Sequence, residues 1–168
     1  MKHFFPILLG LALIFTACES KEEETTQPGG STQKTEQEAF GSAGKMTIEM
    51  QDGPYESQDT ITVALDKATQ TISLTMMGVR LSTQMPIELT ISADSVPYVQ
   101  KDNTYAFEQD TVILNMVMRG AKIPYPDCPL VELKGMFNTD NGELKFSGSF
   151  DHDKYGKMPV TYEGSAYE

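Results

Sequence analysis

Residues with specialised chemistry are scarce in this chain of 168 residues. It has no tryptophan, two cysteines and two histidines. The only arginines are Arg80 and Arg119. Zinc sites and nucleophilic triads draw mainly on Cys and His, so the composition supplies few of the parts that either would need. We therefore predict that the protein is not an enzyme and that it holds no metal ion and no cofactor.

Positive charge is scarce as well. Lysine and arginine together number 13 against 24 aspartates and glutamates, which gives a formal net charge of −11. An acidic surface repels the phosphate backbone of nucleic acids and the headgroups of an anionic membrane. The sequence thus disfavours nucleic acid as a partner.

Only one long hydrophobic run is present, from Phe4 to Phe15, interrupted by Pro6 and Gly10. A helix of about twelve residues is too short to cross a hydrocarbon core of about 30 Å. A short basic segment precedes the run and small residues follow it, which is the order found in a secretory signal peptide. We interpret residues 1–17 as a signal peptide that is removed on export.

The residues around the end of this segment resemble a lipidation motif. Ile14-Phe15-Thr16-Ala17-Cys18 is similar to the lipobox of bacterial lipoproteins, with Phe15 where that motif prefers Leu. The resemblance implies cleavage before Cys18 and attachment of diacylglycerol to its thiol, and several acyl chains hold a protein stably on a membrane. The alternative is a plain secretory signal followed by a chance cysteine. Lipidation of Cys18 would leave Cys128 as the one thiol and exclude an intrachain disulfide.

A polar segment, residues 18–40, comes next. It has too little apolar surface to offset the entropy cost of ordering, so we expect a disordered tether. Its start resembles the lysine-plus-acidic export signal of Bacteroidetes surface lipoproteins, carried here by Lys21, Glu22, Glu23 and Glu24. That resemblance implies a lipid-anchored protein of the outer membrane that is exposed on the cell surface. The alternative is a solvated spacer on a protein of the periplasmic leaflet.

Residues 41–168 show the alternation of apolar and polar side chains that is typical of β-strands. No stretch carries a convincing apolar stripe of helical period, and Asn141-Gly142 is a strong hairpin signal. Nine short apolar runs are separated by turns: Met46–Met50, Ile61–Leu65, Ile72–Met76, Ile87–Ile91, Tyr105–Phe107, Val112–Met118, Val131–Leu133, Leu144–Phe150 and Met158–Tyr162. The pattern predicts one soluble antiparallel up-and-down barrel of about eight to nine strands, with a two-sheet sandwich as the alternative. Three prolines between Arg119 and Leu130 predict a stiff, irregular connection there.

Two segments of this region resemble the calycin-like (lipocalin-like) β-barrel lipoproteins of Bacteroidetes. The run from Ile72 to Ile91 is similar to that family's strand, loop and Met-Pro-led strand, and Gly142–Gly148 is similar to its late hairpin. The chain lacks the Gly-x-Trp signature of true lipocalins, since it has no tryptophan. The resemblance implies a barrel of about eight strands whose interior can hold a small apolar ligand.

Methionines and glycines suggest where such a ligand would lie. Large flexible Met beside Gly suits an adjustable void better than a tightly interlocked core. The alternative is that methionine fills an irregular core and the glycines mark sharp bends of the sheet. Six methionines share the predicted inward parity: Met46, Met50, Met76, Met116, Met118 and Met158. The predicted pocket lining is Leu74, Met76, Leu114, Met116, Gly135, Phe146, Gly148, Val160 and Gly164.

Catalytic and metal-binding arrangements find little support. The one thiol–imidazole pair in the mature chain is Cys128 with His152, and a thiol is activated only beside an oriented base. A small buried side chain is the ordinary role for such a cysteine. The acidic turns at Asp140 and at 151–153 carry too few carboxylates for a calcium loop.

Two functions from different classes remain open. The first is a binding module that captures a small apolar ligand inside the barrel. The second is an interaction or structural lipoprotein with a filled core, which contacts a protein or a glycan through loops such as 119–130. A cavity inside the barrel would favour the first function, and a filled interior would favour the second.

Overall fold

Eight antiparallel strands and no helix make up residues 37–166, the part of the chain that the computed structural model describes. The strands are β1 (Gln37–Met50), β2 (Gly53–Asp66), β3 (Thr71–Val79), β4 (Leu89–Lys101), β5 (Thr104–Met118), β6 (Ala121–Asn138), β7 (Leu144–His152) and β8 (Gly156–Ser165). Each strand pairs with the next one along the chain, and β8 pairs with β1, so the barrel is closed. The prediction of an up-and-down antiparallel barrel is confirmed, and the two-sheet sandwich is wrong. No helix within residues 37–166 has the length and apolar character needed to cross a bilayer.

The apolar side chains of the alternating pattern face the interior. In β8, Met158, Val160 and Tyr162 are buried, whereas Thr161 and Glu163 are exposed. Fully burying an apolar side chain of this size contributes roughly 1.5–3 kcal/mol. The alternation therefore favours a layout that removes one whole face of every strand from water, and the closed barrel does so.

The barrel begins earlier than the sequence predicted. β1 starts at Gln37, so residues 37–40, which were assigned to the tether, pair with the end of β2. Phe40 packs against the core, with its ring centroid 5.2 Å from that of Phe137, and this contact anchors the start of the strand. The signal peptide, Cys18 and the export segment at 21–24 lie outside the described residues.

Two of the nine predicted runs belong to a single strand. The runs at 105–107 and 112–118 are both part of β5, so the barrel has eight strands. Inward side chains in β5 are odd-numbered up to Phe107 and even-numbered from Val112. The change of parity falls where the register between β4 and β5 is interrupted, and it made one strand look like two.

The predicted stiff connection between residues 119 and 130 is also wrong. Arg119 and Gly120 alone form the turn, and β6 starts immediately afterwards at Ala121. Two of the prolines, Pro126 and Pro129, fall where β6 is out of register with β5. A strand accepts proline at such an irregularity because no regular ladder bond has to be donated there.

The connections between strands lie at two ends of the barrel, because neighbouring strands alternate in direction. The connections at 51–52, 80–88, 119–120 and 153–155 share one end, which we call the distal end, and the start of β1 lies at the opposite end. The connection at 80–88 is the longest of them. It contains Ile87, which was predicted to begin a strand but is 61% exposed in the loop, two residues before β4 starts.

Candidate functional site at the distal end

The interior of the barrel is filled at the positions where the sequence suggested a pocket. Leu74, Met76, Leu114 and Val160 have no accessible surface, so no water-sized void lies beside them among the described residues. Phe146 is buried and stacks on the ring of Tyr162, with 5.6 Å between the ring centroids. Met116 is only partly buried and packs on the core from the distal side.

Neighbouring groups occupy the space beside the three inward glycines. Gly135 lies opposite Phe107 in the register, and the ring of Phe107 covers it. The hydroxyl of Tyr162 lies against Gly164, and a Cβ added at Gly148 would lie 3.2 Å from Leu130 Cδ1. The glycines therefore make room for neighbouring side chains, which come from adjacent strands at Gly135 and Gly148 and from the same strand at Gly164.

The methionines divide into an inner and an outer group. Met46, Met76 and Met158 are buried, and Met50 is partly buried at the distal end. Met118 is 57% exposed, so its predicted inward place is wrong. It lies at the tip of the β5–β6 hairpin. At that position a side chain on the inward side of the strand is no longer covered by the core.

A cleft of about 200 Å³ opens at the distal end, away from the pocket that the sequence analysis predicted. It lies between the β1–β2 turn, the 80–88 loop and the β7–β8 turn. Leu81 and Met158 are both buried and form its apolar floor. The lining residues are Met50, Gln51, Asp52, Leu81, Ser82, Gln84, Tyr155 and Met158.

Hydrogen bonds hold the walls of the cleft together. The Gln51 side-chain amide donates to the backbone carbonyl of Tyr155 at 3.1 Å, which joins the β1–β2 turn to the β7–β8 turn. The Thr83 hydroxyl donates to the Asp52 carboxylate, which joins the 80–88 loop to the same β1–β2 turn. Three connections that are distant in sequence are therefore tied into one rim.

Arg80 is the cation at the start of the 80–88 loop, and its guanidinium is engaged elsewhere. It pairs with Glu88 at 2.9 Å and lies over the ring of Tyr55, 5.9 Å from the centroid. Arg80 is not among the lining residues, so within residues 37–166 Asp52 is the one charged side chain that lines the cleft.

An aromatic cluster extends the cleft toward the β5–β6 hairpin. His152 Nδ1 accepts a hydrogen bond from the Lys154 backbone amide at 2.9 Å, so a neutral imidazole carries its proton on Nε2. That Nε2–H donates to the hydroxyl of Tyr125 at 2.8 Å. The His152 ring also contacts Tyr155, with 4.7 Å between the centroids. Tyr125, His152 and Tyr155 thus link the hairpin to the wall of the cleft.

Cys128 is not placed as a nucleophile. Burial raises the pKa of its thiol to about 12, and the nearby carboxylates of Asp151 and Asp153 add to the effect. The side chain is fully buried, and both ring nitrogens of His152 are engaged with Tyr125 and Lys154. Within residues 37–166 no three Cys, His, Asp or Glu side chains lie close enough together to hold one metal ion.

The β5–β6 hairpin carries a partly exposed apolar face. Met116 is opposite Ile123 in the register, and Met118 follows on the same side of β5. Ile123 is 44% exposed, and Ile87 in the neighbouring loop is also exposed. Of these side chains, Ile123 was missed by the sequence analysis, because the proline-rich segment that contains it was interpreted as a connection.

The architecture defines a general class of protein. A closed meander of eight antiparallel strands around an apolar interior is consistent with a calycin-like fold. No protein-family model matches the chain, and no curated protein matches it either.

Proposed function

We propose that this chain is a calycin-like lipoprotein of the outer membrane, exposed on the cell surface, which binds a small apolar or amphipathic molecule in the distal cleft. Anchoring through Cys18 and export through Lys21 and Glu22–Glu24 rest on the sequence motifs. The topology supports the proposal, because the chain enters the barrel at Gln37, at the end opposite the cleft. A barrel tethered there can present the cleft away from the membrane.

The observation that carries the binding role is the composition of the cleft. Met50, Leu81 and Met158 give it an apolar floor, and unbranched methionines adapt to ligands of different shape. Its volume of about 200 Å³ is smaller than the roughly 300–1,000 Å³ of most drug-sized sites. We therefore expect it to hold a small molecule or one end of a longer one.

A binding titration tests this proposal on the unlipidated mature chain, from residue 19 onward. An apolar dye that fluoresces on leaving water should bind saturably to the wild type. Ser82→Phe places a ring in the cleft and should weaken binding about tenfold, since each 1.4 kcal/mol is a factor of ten. Ser147→Phe is the matched control, because Ser147 is exposed on the outer face of β7. Equal loss in both variants would show that the dye binds elsewhere.

The filled interior favours a second candidate function, a surface interaction protein. Its contact surface would be the apolar face of the β5–β6 hairpin, where Met118 and Ile123 are exposed. Such a face could bind a protein or a glycan through its rim. Absence of saturable dye binding by the wild type would make this the better proposal.

A further inference from the structure

The polar edge of the distal cleft is rich in hydrogen-bond acceptors, which narrows the class of ligand. We infer that it takes a small organic cation with an apolar arm, such as an alkylammonium, in preference to an anionic amphiphile. This inference rests on the proposed function. The observation behind it is an acceptor-rich polar edge above an apolar floor.

Two oxygen acceptors at the edge of the cleft have unused capacity. Thr83 donates to Oδ2 of Asp52, and no described residue donates to Oδ1 of that carboxylate. The Gln51 amide uses its nitrogen to donate to Tyr155, which leaves its oxygen as an acceptor. An ammonium group presents donors and positive charge to both acceptors, whereas a carboxylate or phosphate would meet repulsion from Asp52.

Carboxylates around the cleft add to this bias. Arg80 is compensated by Glu88, and the carboxylates of Asp151 and Asp153 lie in the neighbouring β7–β8 segment. Lys154 opposes them with one positive charge, and its ammonium sits 5.2 Å from the centroid of the Tyr155 ring. The chain's own ammonium thus lies beside a wall of the cleft, where an aromatic face attracts cations. The formal net charge of −11 adds a long-range attraction.

The apolar floor of the cleft favours a ligand that carries an apolar arm. Leu81 and Met158 are buried, and Met50 is partly buried beside them. A short alkyl arm laid on this floor loses its contact with water, at about 0.8 kcal/mol for each buried CH₂. A polar cation without such an arm gains only the exposed ion pair, which is weak in water.

Calorimetric titrations with three probes of equal chain length test the inference on the unlipidated mature chain. The probes are hexylammonium, hexanol and hexanoate. We expect the ammonium to bind about tenfold tighter than hexanoate at low salt, with a smaller ratio in high salt because of screening. Binding of all three with equal affinity, or tighter binding of hexanoate, would overturn the inference while the proposed function stands. No binding by any probe would overturn the proposed function itself.

A matched pair of variants localises the preference. Asp52→Asn keeps an acceptor for Thr83 but removes the charge, so it should lower the affinity for the ammonium about fivefold to tenfold and leave hexanol unchanged. Asp102→Asn makes the same change of charge in the turn at the opposite end and should alter neither. Equal losses in the two variants would mean that net charge, and not the cleft, attracts the cation, which contradicts the inference.

Discussion

Asp59 is a charged residue on the inward side of β2, two positions before the fully buried Ile61. Burial raises the pKa of its carboxyl, a hydrogen bond from the Ser57 hydroxyl opposes that rise, and the charge of Glu88 adds to it. The folded protein therefore prefers the protonated acid more strongly than the unfolded chain does. Above the folded pKa the charged form opposes folding, and this penalty fades as the pH falls through the folded pKa toward the unfolded value.

We predict that Asp59→Asn raises the melting temperature at pH 7, because it keeps an acceptor for Ser57 and removes the half-buried charge. The advantage should shrink as the pH falls through the raised folded pKa, and it should be lost below about 4, where the unfolded carboxyl also takes up a proton. Thermal denaturation at a series of pH values measures both effects. Asp102→Asn, in an exposed turn, is the control. An advantage that is the same at every pH would contradict this explanation.

Gly135 is a residue at which the sequence suggested a pocket that the structure does not contain at that position. A glycine on the inward side can indicate a vacant space, but here the ring of Phe107 lies against it. The absence of a Cβ is what allows this aromatic side chain to pack across the strand pair.

We predict that Gly135→Ala destabilises the barrel by about 1–3 kcal/mol, because its Cβ would collide with the Phe107 ring and lie 2.6 Å from the Lys145 carbonyl oxygen. Gly148→Ala should cost less, since its closest contacts are at 3.2 Å. Urea denaturation of the two variants gives the comparison. A more stable Gly135→Ala protein would show that the space beside this glycine is vacant.

At the scale of the elements, the strands differ in how faithfully they follow the alternating pattern. β1 and β2 pair along their whole length without a shift of register, and the pattern there predicts both faces correctly. The pairings from β3 to β7 all contain register shifts, and Ser95 and Glu132 adopt positive φ within strands. Each irregularity changes the parity of the residues that follow, which explains the extra strand. The start of β6 was missed because its prolines were interpreted as a connection.

The β5–β6 turn gives a prediction of its own. Arg119 and Gly120 have φ values of 51° and 81°, and a two-residue turn with both φ positive favours Asn-Gly. Arg119→Asn should therefore stabilise the protein by about 0.5–1 kcal/mol, because Asn tolerates this conformation better than Arg. Chemical denaturation measures the change, and Gly120→Val should change stability in the opposite direction. A destabilised Arg119→Asn variant would rule out this account of the turn.

At the scale of the whole molecule, the end of the barrel at which the chain enters bears most on whether a proposed lipid anchor and a proposed binding site are compatible. β1 starts at the end opposite the distal cleft, because it runs from Gln37 to the β1–β2 turn, which lines the cleft. An anchor before Gln37 and a binding site at the distal end are therefore compatible.

We predict that replacing Cys18 by Ser releases the protein from the membrane fraction of its native cells. Without acyl groups the polypeptide has no stable anchor in the membrane. Fractionation and detection of bound lipid measure this. For the wild type, a protease added to intact cells should digest the barrel if it is displayed on the surface. Digestion only after lysis would instead place the protein on the periplasmic leaflet.

Local alternation of side chains was enough to predict strands in place of helices and an apolar interior. These features follow from side chains two residues apart, so no long-range information is needed. The filling of the interior could not be predicted in this way, because Phe107 meets Gly135 through a register between strands. Only the tertiary structure placed Asp52, Leu81 and Tyr155 around one cleft. Their turns are about thirty to one hundred residues apart in sequence, and only closure of the barrel brings them together.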